Sequence, residues 1–493
     1  MTPAQELSGG KPAQALPAER MFIGGAWVDA ASGDRLVSVD PTTEKELASF
    51  PDAGAEDVDA AVAAAREAAV AWRDLGWQRR ARLLRELAGR IEDSVDILAD
   101  LDVADAGLPV TGMRADMSSA AAEILYYAGI APQTTGSTPQ GTPDTMSYTE
   151  REPYGVVARI VPFNHPFKFA SGKVAAPLAA GNAVVLKPGE QTSLSALELA
   201  RMSEGLLPAG VLNVITGRGS TAGSALVAHP DVPRIAFTGS VPTGRAVLHG
   251  AAEQIKHVSL ELGGKNPVIV FPDVDPVRAA RAAVTGMNIA RCTGQSCGST
   301  SRIFVHDDVR EPFLDALVAR VQELRIGDPR DEATEVGPLA FRAHYDRVTS
   351  YVETGVREGA QLVTGGRRPD GHHRGFFVEP AVFTGVADDM TIAREEIFGP
   401  VMSVFGWSDL DDVVRRANAL PFGLTANVWT NDVSAAHRTA RALEAGYVYV
   451  NGSGRRPTGA PFGGWKSSGL GKENGLEELV SYTQEKTVTV TLL

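Results

Sequence analysis

Apolar positions in residues 59–75 (DAAVAAAREAAVAWRDL) fall on one stripe at helical spacing, and a second helical pattern runs from 78 to 101. From residue 156 the texture changes. Short β-branched runs at 155–161, 183–186, 211–215, 234–237, 258–262 and 268–271 alternate with helical stretches at 193–204, 221–228 and 241–253. Such alternation predicts a parallel sheet covered by helices on both faces, as in a Rossmann-like nucleotide domain. A second α/β series begins near residue 275, with helices at about 276–290, 310–325 and 341–358 and strands near 302–305, 401–405 and 447–450. The segment 135–152 and the terminal alternation 486–492 (KTVTVTL) fit neither sheet, and a Thr/Val-rich strand with an open edge needs a partner.

The 493 residues are enough for two or three domains, each with its own core. Hydrophobic residues at 44% and charged ones at 22% fit a soluble globular chain. The formal charge is −13 without any basic block, which disfavours a nucleic-acid partner. No uninterrupted apolar run approaches the length that crosses a bilayer, so no membrane partner is expected. Two cysteines cannot build a disulfide framework, and a reducing cytoplasm is the natural compartment. Residues 1–20 are rich in Pro, Ala and Gly, lack an apolar signal-peptide core and read as a flexible leader.

One cysteine changes the picture. Cys297 follows Gly294-Gln295-Ser296 on a stretch of small polar residues, and Glu261 stands 36 positions earlier, at the end of an apolar run and before Leu262-Gly263-Gly264-Lys265. A thiol that can become a thiolate, with a carboxylate that can take a proton from water, is the minimum kit for making and hydrolysing a thioester. The plainer readings are a buried small hydrophobe for the cysteine and a strand-end charge for the glutamate. Lys187 and Glu190 follow a predicted strand and precede a helix, where ligands of open α/β sheets sit. Phe237-Thr238-Gly239-Ser240 with Gly244 opens the next helix; its glycines are five apart, unlike the usual dinucleotide fingerprint, but a helix N-terminus can hold a pyrophosphate.

Four further segments are Pro162-Phe163-Asn164-His165-Pro166, Lys187-Pro188-Gly189-Glu190, Glu396-Ile397-Phe398-Gly399-Pro400 and Pro461-Phe462-Gly463-Gly464. With these motifs in this order and spacing, the chain closely resembles the aldehyde dehydrogenase superfamily, of the NAD(P)-dependent hydrolytic type, from about Met21 to the C-terminus. The resemblance implies an α/β fold in three parts. These are a Rossmann-like NAD-binding domain (21–134 and 153–263), an α/β catalytic domain (264–465) and a small β oligomerisation domain (135–152 and 466–493) that builds a homo-oligomer, dimer or tetramer. It makes Cys297 the nucleophile and Glu261 the base that activates water, with the Asn164 amide and the Cys297 N–H as oxyanion donors. Lys187 and Glu190 are assigned to the adenosine ribose, and Ser240, in the turn with Gly239 and Gly244, to the phosphates. Glu396 goes to the nicotinamide ribose and Phe398 to the nicotinamide ring. A carboxylate at Glu190 accepts from a ribose 2′-OH and repels a 2′-phosphate, so NAD is favoured and NADP left open. No metal is expected. Lys173 and His165 read as structural, and Cys292 has no counterpart in the family.

Departures from the family pattern bear on substrate. Phe163 stands where most relatives have Trp, His165 where they have an aromatic residue, and the Glu261–Cys297 spacing is slightly long. Gly172 replaces a tryptophan that lines the entrance in many relatives, Ser296 and Gly298 flank the nucleophile with little bulk, and Phe169 keeps one aromatic wall. Removing bulk makes room, which predicts a bulky, aromatic or branched aldehyde. Arg455 and Arg456 in the 451–456 loop offer an alternative, recognition of a semialdehyde carboxylate. A CoA-acylating enzyme is a further alternative, and retention of Glu261 argues against it.

Overall fold

The structure is a computed structural model that describes residues 18–454 and 456–491. Most of the leader expected at 1–20 therefore lies outside the described residues, as does Arg455. The first predicted helix forms as Ala55–Asp74, burying Val58, Ala61, Val62, Ala65, Ala69 and Trp72 at helical spacing. The pattern at 78–101 splits into two helices, Trp77–Glu92 and Val95–Ala106. The first closes tightly through Ser94 N–H to Ile91 O (3.0 Å), and the second restarts from Ser94 O. The break aims two carboxylates of the second helix at other helix starts. Asp102 accepts from the Phe167 N–H (3.1 Å) and Asp105 from the Leu194 N–H (3.2 Å). These are the first turns of helices Pro166–Ala180 and Leu194–Ser203, where free N–H groups favour an acceptor.

The first sheet has eight strands in the order Ala26–Val28, Met21–Ile23, Leu212–Val214, Ala183–Lys187, Val156–Ile160, Arg234–Thr238, His257–Glu261 and Gly469–Leu470. The five central strands are parallel. Gly469–Leu470, inside a segment expected to serve oligomerisation, instead joins this sheet antiparallel to His257–Glu261. Both faces are covered: Val157 packs in one core with Val174, Leu197 and Trp72, while Val156, Ala158 and Ile160 face a second core with Val58, Val62 and Val247. The chain runs from Val156–Ile160 through Ala183–Lys187 to Leu212–Val214 on one side, then crosses to Arg234–Thr238 on the other. That reversal opens a crevice at the carboxyl ends of the strands, where Asn164, Lys187, Gly239 and Glu261 all emerge.

The second sheet has seven strands in the order Gln361–Thr364, Ala381–Thr384, Val401–Trp407, Arg302–His306, Pro267–Val270, Thr425–Trp429 and Tyr447–Val450. All are parallel except the first, at the edge. The helix expected at 276–290 breaks at Asn288, which adopts a left-handed φ of 54°, leaving Pro276–Gly286 and the short Ile289–Cys292. Thr145–Pro153 and Thr483–Thr491 pair only with each other, antiparallel over nine positions.

Candidate active site

Cys297 lies on the loop between Ile289–Cys292 and Arg302–His306. Thr293 (φ 52°) and Gly294 (φ 73°) turn the chain, and the backbone of Gly399 and Pro400 lies so close that a Cβ at Gly294 would meet it at 2.7 Å. Side-chain amides then fix the loop. Asn266 Nδ2 donates to the carbonyls of Cys297 (2.8 Å) and Ser299 (2.9 Å). Asn164 Nδ2 donates to the Gln295 carbonyl (2.8 Å), and Gln295 Oε1 accepts from the Ala340 N–H (3.0 Å). An amide nitrogen carries two hydrogens, so Asn164 keeps one N–H beyond its bond to Gln295. Burial pushes the Cys297 thiol up to about 12, the Glu396 carboxylate pushes the same way, and Arg456 pulls it down.

Glu261 ends the strand His257–Glu261 with both carboxylate oxygens buried and unpartnered among the described residues. Burial, then the charge of Glu473, holds its pKa well above the usual carboxylate range. Glu473 is opposite in character: Lys173 and Arg159 both donate to it and pull it down to about 2 despite its burial. The glycines of the motifs make room for these groups. A Cβ at Gly463 would stand 2.5 Å from Glu261 Oε1, and one at Gly264 2.9 Å from the Cys297 carbonyl. Gly263 faces the Glu396 carboxylate, which accepts from the Gly264 N–H at 2.9 Å.

Cys297 and Glu261 line one cavity of about 90 Å³, together with Phe169, Ser296, Gly298 and Arg456 from the predicted set. Asn164 is buried, and neither it nor Gly172 is in the lining. The space expected at Gly172 is taken: a Cβ there would meet the Glu123 carboxylate at 2.6 Å. At Gly298 the nearest atom to such a Cβ is Ser296 Oγ at 3.8 Å, so room exists there alone. The wall is polar. Thr238 Oγ1, Thr300 Oγ1, Thr425 Oγ1 and Asn427 Oδ1 are buried without partners among the described residues and border the cavity.

The residues expected at the cofactor emerge along the crevice. Lys187 is buried, donates to the Pro188 carbonyl (2.9 Å) and is lowered to about 8 by burial. Glu190 Oε2 accepts from the Gly219 N–H (2.8 Å). Ser240 caps helix Val241–Ala252, accepting from the Thr243 N–H (3.3 Å), and Gly244 lets that helix approach Leu262, which a Cβ would meet at 2.7 Å. Ser240 and Glu396 face each other across a cleft that also holds Arg347 and Phe422. Glu396 is raised to about 7 by burial. Phe398 adopts a left-handed φ of 63°, a strained conformation for an aromatic residue, and its ring meets Phe163 edge-on at 5.7 Å. A helix start ringed by close-packed glycines, a buried lysine and a carboxylate at a strand end fit a dinucleotide.

The family model described as the aldehyde dehydrogenase family matches residues 27–488. The chain belongs to the aldehyde dehydrogenase family. It is 43% identical over 474 residues, 96% of this chain and 94% of the relative, to a hydroxyisobutyraldehyde dehydrogenase of Mycolicibacterium austroafricanum. Among solved aldehyde dehydrogenases, one from Bacillus cereus in complex with NAD+ superimposes with a TM-score of 0.94 at 41% identity, covering 97% of both chains. An NAD-dependent aldehyde dehydrogenase of Sinorhizobium meliloti gives 0.93 at 39% identity, covering 96% of this chain and 95% of that one. This aldehyde dehydrogenase has no group of three or more His, Cys, Asp or Glu side chains placed to hold a metal ion among the described residues. Nor is any described helix long and apolar enough to cross a membrane.

The sequence reading missed three residues of the site or its supports. Asn266 follows the Glu-Leu-Gly-Gly-Lys motif and could have been found as its sixth member. Glu473 reads as an ordinary surface charge, yet it is 3% exposed and borders the cavity. Asp116, inside helix Val110–Ile130, is fully buried. It binds His165 Nδ1 (2.5 Å) and Arg291 Nε (3.1 Å), tying the segment of Asn164 to the base of the Cys297 loop. Its pKa stays far below the usual range because His165, Lys168 and Arg291 outweigh its burial. A carboxylate so depressed adds stability above its unfolded pKa, near 3.9, and loses it as pH falls below that value. Asp116→Ala leaves Arg291 and Lys168 facing each other without a counter-charge. We expect a loss of about 3 kcal/mol in denaturant unfolding at neutral pH, shrinking in acid.

Proposed function

We propose that the protein oxidises a short, hydrophilic aldehyde to its carboxylic acid with NAD, through a thioester on Cys297. One observation carries this reading: the Cys297 thiol and the unpartnered Glu261 carboxylate share a single cavity. Cys297 Sγ gives its proton to water and adds to the carbonyl carbon as thiolate, and the carbonyl π pair moves to oxygen. The remaining Asn164 N–H and the Cys297 amide hold that oxyanion, a type of donor worth about 3 kcal/mol elsewhere. NAD, when bound, takes up the hydride. With loss of hydride from the thiohemiacetal, the C=O re-forms as a thioester. Glu261, once free of its proton, takes one from water as the water attacks; the C–S bond then breaks, and thiol and acid separate.

Lys187 and Glu190 would hold the adenosine ribose, Ser240 the phosphates, Glu396 the nicotinamide ribose and Phe398 the ring. The Bacillus cereus relative in complex with NAD+ supports that cofactor, and the Glu190 carboxylate disfavours a 2′-phosphate. The first sheet would serve as the NAD-binding unit and the second as the catalytic one. Two free cysteines suit a reducing cytoplasm. In the Thr145–Pro153/Thr483–Thr491 ribbon the second strand is largely exposed and the first half-buried, and an isolated two-stranded ribbon is only marginally stable, which supports its use in homo-oligomer assembly.

The substrate reading departs from the bulky aldehyde that Gly172 suggested. A cavity of about 90 Å³ is well under the roughly 300–1,000 Å³ of pockets for drug-sized ligands, and its unpartnered oxygens call for polar substituents. The Mycolicibacterium relative, by its name, acts on a short hydroxylated aldehyde. The test is NADH formation with NAD or NADP from matched short polar, aliphatic and aromatic aldehydes, with and without CoA. Faster turnover of short polar aldehydes with NAD is expected. A preference for benzaldehydes would restore the bulky reading, a CoA requirement would indicate acyl transfer, and no NADH from any aldehyde would end the proposal.

A further inference from the structure

His165 stands just before helix Pro166–Ala180, is 7% exposed and borders the same small cavity as Cys297. Its Nδ1 lies 2.5 Å from Asp116 Oδ2, and its ring meets Phe169 edge-on at 5.3 Å, so the plane is fixed on two sides. Asp116 lies outside the cavity lining, which leaves the opposite edge of the ring, with Nε2, to border the space. Nε2 makes no hydrogen bond among the described residues. The surrounding charges decide which nitrogen carries the proton. Burial opposes ionisation of Asp116, but the positive groups around it, Lys168 and Arg291 among them, keep it a carboxylate. Oδ2 therefore accepts, and Nδ1 carries a hydrogen. Burial, helped by Arg291 and Lys168, lowers the pKa of His165 below its ordinary value, so the ring is neutral at neutral pH. A neutral imidazole protonated at Nδ1 has a lone pair on Nε2. Asn427 Oδ1 is a second such atom: it borders the cavity, buried and unpartnered among the described residues, while its amide nitrogen donates to the Gly452 carbonyl (2.8 Å).

We propose that His165 Nε2 accepts a hydrogen bond from a hydroxyl group of the substrate and so makes the site specific for hydroxylated aldehydes. This deepens, and rests on, the reading of Cys297 as the nucleophile that oxidises a short hydrophilic aldehyde. A methyl group in place of the hydroxyl leaves Nε2 dry and unpaired. An ether brings only lone pairs and meets Nε2 lone pair to lone pair. Arg456 Nη1 on the same wall is a donor without a partner among the described residues, and a hydroxyl, which both donates and accepts, suits it as well as His165. Cys297 and His165 share a cavity of about 90 Å³, so the hydroxyl and the aldehyde carbon are only a few bonds apart.

The experiment measures kcat/KM of the full chain with NAD for two pairs matched in heavy atoms, 3-hydroxypropanal with butanal and 3-methoxypropanal with pentanal. We expect the hydroxyl to be favoured over the methyl by about tenfold or more, the range of a hydrogen bond whose buried partner is otherwise left unsatisfied. The methoxy group is expected to gain nothing over the ethyl. The hydroxyl preference should fall to about one in His165→Asn, whose amide can still donate to Asp116 but does not reach into the cavity. The same fall is expected in His165→Phe, which keeps a flat ring and carries no acceptor. A wild type without hydroxyl preference, a methoxy preference as large as the hydroxyl one, or an unchanged ratio in either folded variant overturns the proposal, while NADH from butanal leaves aldehyde oxidation standing. NADH from none of the four aldehydes removes the oxidation reading and this proposal with it.

Discussion

Cys297→Ala is expected to abolish NADH formation from every aldehyde, a loss of at least about 10⁴-fold, because no other thiol lines the cavity among the described residues. The second cysteine cannot substitute, since Cys292 is fully buried and its Sγ is directed at the Asn288 carbonyl at 3.5 Å. Labelling of the cofactor-free protein gives a sharper check. A thiol held up to about 12 by burial and by Glu396 is almost wholly protonated at neutral pH, and its thiolate fraction grows about tenfold per pH unit. Alkylation by iodoacetamide, counted by mass as one label per chain, is therefore expected to keep accelerating up to about pH 10. An ordinary thiol, with a pKa of about 8.5, levels off above that pH. A plateau near neutrality would show that the thiol does not sit in the environment described.

Glu261→Gln is expected to separate the two halves of the reaction. The variant should release about one equivalent of NADH per site in a burst, then turn over roughly 10³-fold more slowly, because the amide cannot take a proton from the attacking water. Rapid mixing with absorbance detection reads both phases, and an unimpaired steady rate would remove Glu261 from the hydrolytic step. The pH dependence has a defined sign. Glu261 acts as a base only when ionised, and burial with Glu473 nearby raises its pKa, so the wild-type steady rate should fall as pH drops through that raised value. Stability runs the other way. The unfolded carboxyl ionises near 4.3, so above that pH the fold pays for holding Glu261 in a dry place, and wild type loses stability as pH rises toward the folded pKa. The glutamine variant escapes this loss and should melt higher than wild type in alkaline buffer.

Much of the candidate site was legible in the sequence because its residues stand at the ends of strands. Glu261, Gly239 and Lys187 each close or follow a β-branched run, and those runs form strands within a residue or two of the expected limits. The glycines beside Glu261 and in Pro461-Phe462-Gly463-Gly464 were visible as motifs, but their purpose was not. Only the coordinates show that they clear space for carboxylates and for the Cys297 loop. Helix Pro166–Ala180 escaped notice because 13 of its 15 residues are buried, which erases the polar face that periodicity needs. Asp102, Asp105 and Asp116 were hidden for the opposite reason. A lone acid in a helix reads as solvated, and nothing local announces that a helix start or an arginine far along the chain will meet it. Gly172 misled in the same way, since the residue that fills its space comes from another helix.

That last contact has a consequence for redesign. Because Glu123 lies over Gly172, the space beside that helix belongs to two positions about fifty residues apart rather than to either alone. A larger residue at 172 needs the Glu123 carboxylate, the end of a flexible side chain, to swing aside. Trimming position 123 vacates volume and also removes a negative charge from the neighbourhood of Lys168 and Lys173. Shape and charge cannot be tuned independently at this contact, and a variant library there has to recode both codons together.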